Sequence, residues 1–228
     1  LAHVPDINDF VHAFVRLLKP AGVATFEFPH LLRMVEENQF DTAYHEHYSY
    51  LSLTAVEEIF KMHGLMVFNV EKINTHGGSL RVFAQRGDQR PYLMSSNVQE
   101  LLAEEASAGV AKADFYRNFQ QAAIIVKNNL LEFLLRARRE GMRVAAYGAA
   151  AKGNTLLNFA GIKSDLLSYV VDKNPQKQGK YLPGSRIPVA PEARLRDDRP
   201  DYVLILPWNL RTEVCAQLMY IRDWGGRF

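Results

Sequence analysis

Seven consecutive residues, Tyr44-His45-Glu46-His47-Tyr48-Ser49-Tyr50, gather two imidazoles, one carboxylate and four hydroxyl groups. That is more hydrogen-bonding capacity than a buried strand can easily satisfy, so the segment is expected to line a cleft and meet a ligand there. An imidazole, with an ordinary pKa of about 6.5, suits proton transfer near neutral pH. A phenol can donate to a developing oxyanion. Two other readings stand beside this one. His45 and His47 would share a face for metal binding only on a strand, with a third ligand from His3 or His30. Alternatively, the segment is a polar loop whose rings lie against a neighbouring domain.

The elements needed to hold such a segment are those of an α/β chain. Ile7 to Leu18 has the apolar spacing of a helix and is stopped by Lys19-Pro20 and Gly22. Val23 to Phe28 is apolar at nearly every position, as in a strand buried on both faces, with Glu27 the exception. After the Tyr/His segment, Ser52-Leu53-Thr54 offers a hydroxyl cap, and Glu57 follows Thr54 at capping-box spacing. Leu65 to Ile73 and Ser79 to Gln85 read as a hairpin around Asn74-Thr75-His76-Gly77-Gly78, giving an antiparallel edge on an otherwise parallel sheet. From about Val98 to Glu140 the chain reads as long and helical, bridging two sheets, with a stripe of Phe115, Phe119, Ala122, Val126, Leu130 and Leu134.

A βαβ pattern then restarts: a strand Arg143 to Tyr147, the turn Gly148 to Thr155, a helix through Phe159, and strands Leu166 to Val171 and Tyr202 to Leu206. Glycines at a strand-to-helix turn let backbone approach a phosphate, and Asp172 ends its strand where a ribose-binding acid would stand. The turn matches neither the dinucleotide fingerprint, because Ala150 replaces the middle glycine, nor the P-loop, because Lys152 precedes the second glycine. The alternative is that small residues here only let a helix pack closely on the sheet.

Composition narrows the classes. Of 228 residues, 48% are hydrophobic and 23% charged, and the formal net charge is +2 with acids and bases interleaved, which gives no footprint for nucleic acid. The one cysteine, Cys215, leaves no internal disulfide and no thiolate zinc cage, as suits a reducing cytoplasm. No apolar run approaches the length of a membrane span. Leu1 to Asp6 reads as a strand end entering a loop, and Trp224 to Phe228 as a turn entering a strand, the pattern expected of part of a longer protein.

Taken together and in order, Leu1-Ala2-His3-Val4-Pro5-Asp6, Glu27-Phe28-Pro29, Tyr44 to Tyr50, Gly77-Gly78-Ser79-Leu80-Arg81, Tyr147 to Asn154 and Asp172 to Gly179 resemble the sugar C-methyltransferases. The resemblance runs across essentially the whole chain. It implies methylation of carbon in a nucleotide-linked 4-keto-deoxysugar, with S-adenosylmethionine as donor. It also implies a family architecture of an amino-terminal zinc-binding domain, a central S-adenosylmethionine domain and a related carboxy-terminal domain.

The expected fold is therefore the second half of a Rossmann-like methyltransferase domain over residues 1–87, a helical connector over 88–140, and a second Rossmann-like, doubly wound domain over 141–228. Zinc cysteines and the glycine-rich donor turn would precede His3, so the donor's main cradle is expected elsewhere than in these residues.

Methylation beside a ketone requires removal of a proton from the adjacent carbon. The resemblance carries active-site roles to His3, Tyr44, Glu46 and His47, with His47 as base, Glu46 orienting or charge-stabilising it and Tyr44 donating to the enolate oxygen; Tyr44 as base stays open. Gly148, Lys152, Gly153, Asn154, Asp172, Lys173 and Asn209 are placed near the nucleotide end of the substrate, with Lys152 and Lys173 neutralising its diphosphate. A different class of reading gives the third region to NAD or another nucleotide as an oxidoreductase or regulatory module, with Asp172 on the ribose.

Overall fold

The computed structural model describes all 228 residues, and by its contacts the chain forms two compact units. Unit 1 holds Leu1–Phe40 and His45–Gln120; unit 2 holds Asp41–Tyr44 and Gln121–Phe228. No helix is long and apolar enough to cross a membrane.

In unit 1, helix α1 (Ile7–Leu17) starts where the Asp6 carboxylate accepts from the Asp9 backbone N–H. Strand β1 (Ala24–Pro29) follows, and then the six-residue α2 (Leu31–Glu36). Helix α3 (Leu53–Met62) is capped by Ser52, whose hydroxyl accepts from Ala55 N. Of the two hydroxyls in Ser52-Leu53-Thr54, Ser52 is the cap, and Thr54 lies within the helix. Strands β2 (Leu65–Ile73) and β3 (Ser79–Arg86) pair as the predicted antiparallel hairpin.

β3 also pairs antiparallel with β1, so the order is β1-β3-β2 and the hairpin's second strand is central, not an edge. Nor is β1 buried on both faces. Ala24, Phe26 and Phe28 are buried while Thr25 and Glu27 are exposed, and Glu27 meets its cross-strand partner Arg81 at 3.2 Å. The helices supply only one cover: Val11 of α1, Val56 and Phe60 of α3, and Val98 and Leu101 share a core with the inward residues of the sheet. Phe14 meets Phe26 edge to face at 4.7 Å and Phe26 meets Phe60 at a tilt at 4.8 Å between ring centroids. Each such pair is worth about 0.5–1.5 kcal/mol beyond the area it buries.

The region read as long and helical holds three helices: α4 (Ser96–Ala108), α5 (Ala113–Tyr116) and α6 (Phe119–Arg139). The break is at Gly109, which adopts φ +83° and closes α4 with hydrogen bonds back to Glu105 and Ala106. Of the proposed stripe, Val126 is exposed and Leu134 is buried, because α6 meets the core of unit 2 mainly through Leu134 and Ala137 near its end.

Unit 2 carries four parallel strands: β4 (Val144–Tyr147), then, after α7 (Ala151–Ala160), β5 (Val170–Val171) and β6 (Val189–Ala190), and finally β7 (Tyr202–Ile205) following α8 (Arg194–Asp198). Helix α9 (Arg211–Gln217) comes last. The order is β6-β5-β4-β7, so the chain winds outward from β4 and returns to its other side. Alternate residues feed two cores. Val144, Ala146 and Val170 face Leu134 of α6 and Leu157 of α7; Ala145, Tyr147 and Val171 face Leu195, Val214 and Ile221. Two-sided burial is what makes these strands read as continuous apolar runs. β6 escaped the sequence reading because it is two residues between Pro188 and Pro191.

Candidate functional site

Within unit 1 the backbone of the first residues is tied to the Tyr/His segment: Ala2 O accepts from Tyr48 N at 2.9 Å and from Ser49 N at 3.3 Å. This tie brings the His3 ring onto that of His47, stacked at 5.0 Å between centroids and 17° between planes. Tyr50 lies edge-on to His47 at 6.1 Å, and burial pushes its phenol up from the ordinary value. Two of the four predicted catalytic residues, His3 and His47, are therefore neighbours although 44 positions separate them in sequence.

His45 and Glu46 lie outward, with side chains 86% and 62% exposed and 3.8 Å between Nε2 and Oε1. No group of three or more His, Cys, Asp or Glu residues is placed to hold a metal ion. His30, one of the proposed third ligands, is buried elsewhere: its Nε2 lies 2.8 Å from Glu105 Oε1.

Glu105 is a residue the sequence reading missed. It is fully buried, and it accepts from Leu53 N at 2.7 Å, Thr54 N at 2.8 Å and Thr54 Oγ1 at 2.6 Å besides meeting His30. Burial by itself would raise its pKa, but these hydrogen bonds outweigh burial and hold the carboxyl below its ordinary value. A signal existed: Glu105 falls on the apolar face of α4 with Val98 and Leu101, at i, i+3 and i+7.

Tyr44 stands in unit 2, at the end of a short turn in which its N–H donates to Thr42 O at 3.1 Å. Asp41, the middle residue of the 3₁₀ turn Phe40–Thr42 just before it, is 4% exposed and accepts from Trp208 Nε1 at 2.7 Å. Burial pushes the Asp41 carboxyl up, and the Trp208 N–H and the Lys152 charge pull part of that back. Lys152 is 8% exposed, not a solvated surface lysine, and its ammonium lies 4.6 Å from the Trp208 ring centroid. Burial lowers its pKa, and Asp41 offsets part of the shift.

The glycines of the β4–α7 turn have packing reasons. Gly148 adopts φ +95°, and a Cβ there would lie 2.5 Å from Pro207 Cδ; one on Gly153 would lie 2.6 Å from Leu206 Cβ. Asp172 is engaged by its own loop. Its carboxylate accepts from Ala149 N and Asn174 N, both at 2.8 Å, and from Lys177 Nζ at 3.1 Å. Lys177, which the sequence reading passed over, also donates to Ala149 O at 2.8 Å and so fastens the turn from the other side. Asn154 Oδ1 accepts from Asn158 at 3.2 Å, Lys173 is exposed, and Asn209 is half-buried in the 3₁₀ turn after β7.

The family of C-methyltransferase C-terminal domains matches residues 74–228. The C-methyltransferase NovU of Streptomyces niveus is 38% identical over 227 residues, which is 100% of this chain and 54% of that protein. The chain thus spans about half the length of the curated relative it matches. With residues 74–228 inside the matched range and 38% identity over 227 of its residues, the chain belongs to the C-methyltransferase family.

Proposed function

We propose that the intact protein methylates the carbon beside the ketone of a nucleotide-linked keto-deoxysugar, and that these residues hold the acceptor and move its proton. The observation that carries this reading is the stack of His3 on His47 inside a segment crowded with hydrogen-bonding groups. His47 takes the proton from the carbon next to the carbonyl, leaving an enolate. The His3 ring fixes the plane of the His47 imidazole, Glu46 supplies negative charge to the imidazolium, and Tyr44 donates to the enolate oxygen. Asn154 on α7, Lys173 after β5 and Asn209 after β7 are the residues this reading assigns to the nucleotide.

Family membership implies S-adenosylmethionine as the source of the methyl group. Unit 1 does not fit it. Its one turn from a sheet strand straight into a helix, Pro29-His30-Leu31, has no glycine, its His30 and Leu31 N–H groups donate to Gly78 O and Leu51 O, and the His30 side chain is turned to Glu105. The donor's cradle therefore belongs to other residues of the intact protein, and His3, Tyr44, Glu46 and His47 handle the proton and the charge alone.

In the intact protein, His47→Ala is expected to lower turnover by about 10²–10⁴-fold with the affinity for the nucleotide sugar kept. The product of the active enzyme is the sugar heavier by one CH₂. Calorimetric titration of the 228-residue chain with thymidine diphosphate and with NAD gives a second readout. Thymidine diphosphate binding supports the acceptor reading, whereas NAD binding alone, or undiminished turnover by His47→Ala, overturns it.

A further inference from the structure

In an open parallel sheet, a ligand's phosphate ordinarily settles in the crevice where the strand order reverses, above the carboxyl ends of two adjacent strands whose connections leave in opposite directions. In unit 2 those strands are β4 and β7. The loop after β4 leads to Lys152 and the loop after β7 carries Trp208.

The anion found between those loops is a side chain of the chain itself. Asp41 Oδ2 accepts from Trp208 Nε1 at 2.7 Å, and Lys152 Nζ lies over the same indole. Both charged side chains are more than nine-tenths buried. Close contacts flank this pair: Pro207 stands where a side chain on Gly148 would be, and Asp172 and Lys177 clasp the backbone of Ala149. A buried indole N–H needs an acceptor, which Asp41 provides, and the same carboxylate's charge acts on the buried Lys152 ammonium.

We propose that Asp41 occupies the anion seat of the parallel-sheet unit, and that Lys152 and Trp208 use it to position Tyr44 and do not contact the substrate's diphosphate. Asp41 is the middle residue of the 3₁₀ turn Phe40–Thr42, and Thr42 O accepts from Tyr44 N, so fixing the Asp41 carboxylate holds the turn from which Tyr44 departs. Asp41 and Lys152 are then positioning residues, and the proposal rests on the methyltransferase reading only for the part played by Tyr44. The seat also explains why the β4–α7 turn departs from the phosphate-binding fingerprints: a fixed internal carboxylate needs no glycine at position 150.

The test has two arms. In the first, inorganic pyrophosphate is titrated into the 228-residue chain and its Lys152→Met and Asp41→Ala variants. The proposal expects Lys152→Met to leave any pyrophosphate affinity of the parent chain within about twofold, and Asp41→Ala to bind the ion at least about tenfold tighter than the parent. A parent chain that binds pyrophosphate and loses about tenfold or more with Lys152→Met overturns it. Should Asp41→Ala not fold, the parent and Lys152→Met still decide.

In the second arm the intact enzyme is assayed. Asp41→Ala and Lys152→Met are expected to lower kcat by about tenfold or more with KM for the nucleotide sugar within about twofold. Asp41→Asn, which keeps an acceptor for Trp208, is expected to restore part of kcat. A Lys152→Met enzyme with kcat retained and KM raised about tenfold returns Lys152 to the diphosphate and overturns the proposal. The pyrophosphate arm needs no turnover, so it separates failure of this inference from failure of the methyltransferase reading.

Discussion

Gly148 and Gly161 both hold positive φ, at +95° and +70°, yet a methyl group would meet quite different surroundings at the two positions. At Gly161 it has nothing within 4 Å, so Gly161→Ala is expected to cost about 1–2 kcal/mol, the backbone penalty alone. At Gly148 the same methyl would lie 2.5 Å from Pro207, and Gly148→Ala is expected to cost about 1–3 kcal/mol more. Urea unfolding of the two variants measures the difference, and equal losses would show that Pro207 yields. The turn was legible as a glycine-rich strand-to-helix connection, but its reason was not. Pro207 and Leu206 lie more than 50 positions downstream of the glycines they crowd, and no local pattern points to them. The polar and aromatic groups of Tyr44 to Tyr50 are legible from residue type alone; the stack of His3 on His47 was not, since it depends on the Ala2 backbone contacts.

Between elements, the buried carboxylate of Glu105 joins the amino end of α3 to the His30 that precedes α2, from a seat on α4. It satisfies N–H groups that a helix amino terminus leaves without partners, and its charge suits that end of the helix. Glu105→Ala strands His30, Leu53 N and Thr54 N in the core, and a loss of about 3–5 kcal/mol is expected in chemical unfolding. The pH dependence follows from the depressed pKa. Stability from the ionised form is complete above the ordinary glutamate range and drains away as pH falls through the lower folded value. Glu105→Gln is expected to flatten that acid limb; an unchanged limb would assign it to other carboxylates. At this scale most helices and strands were readable from apolar spacing. The misreadings came at Gly109, a local left-handed cap inside the helical region, and at β1, where the absence of a second cover decides.

At the level of the molecule, each unit has its own core, with Phe60 fully buried in the first and Leu157 in the second. Phe60→Ala should cost about 3–5 kcal/mol and Leu157→Ala about 2–5 kcal/mol. In amide hydrogen exchange each is expected to lower protection chiefly within its own unit, whereas a uniform loss over all 228 residues would mean one cooperative block. The mixed α/β character was legible in the strands and helices themselves. That Asp41 to Tyr44 would side with the second unit was not, because the bond between Asp41 and Trp208 spans 167 positions.

That span also sets an order of events. A chain growing from its amino end has every residue of the first core once Gln120 is made, but Asp41 waits for Trp208 before its turn is held. Closing a loop of that length is slow compared with local helix and hairpin formation. The turn leading to Tyr44 is thus expected to be among the last parts of the second unit to be set, and a chain interrupted before β7 to lack the bond that holds it.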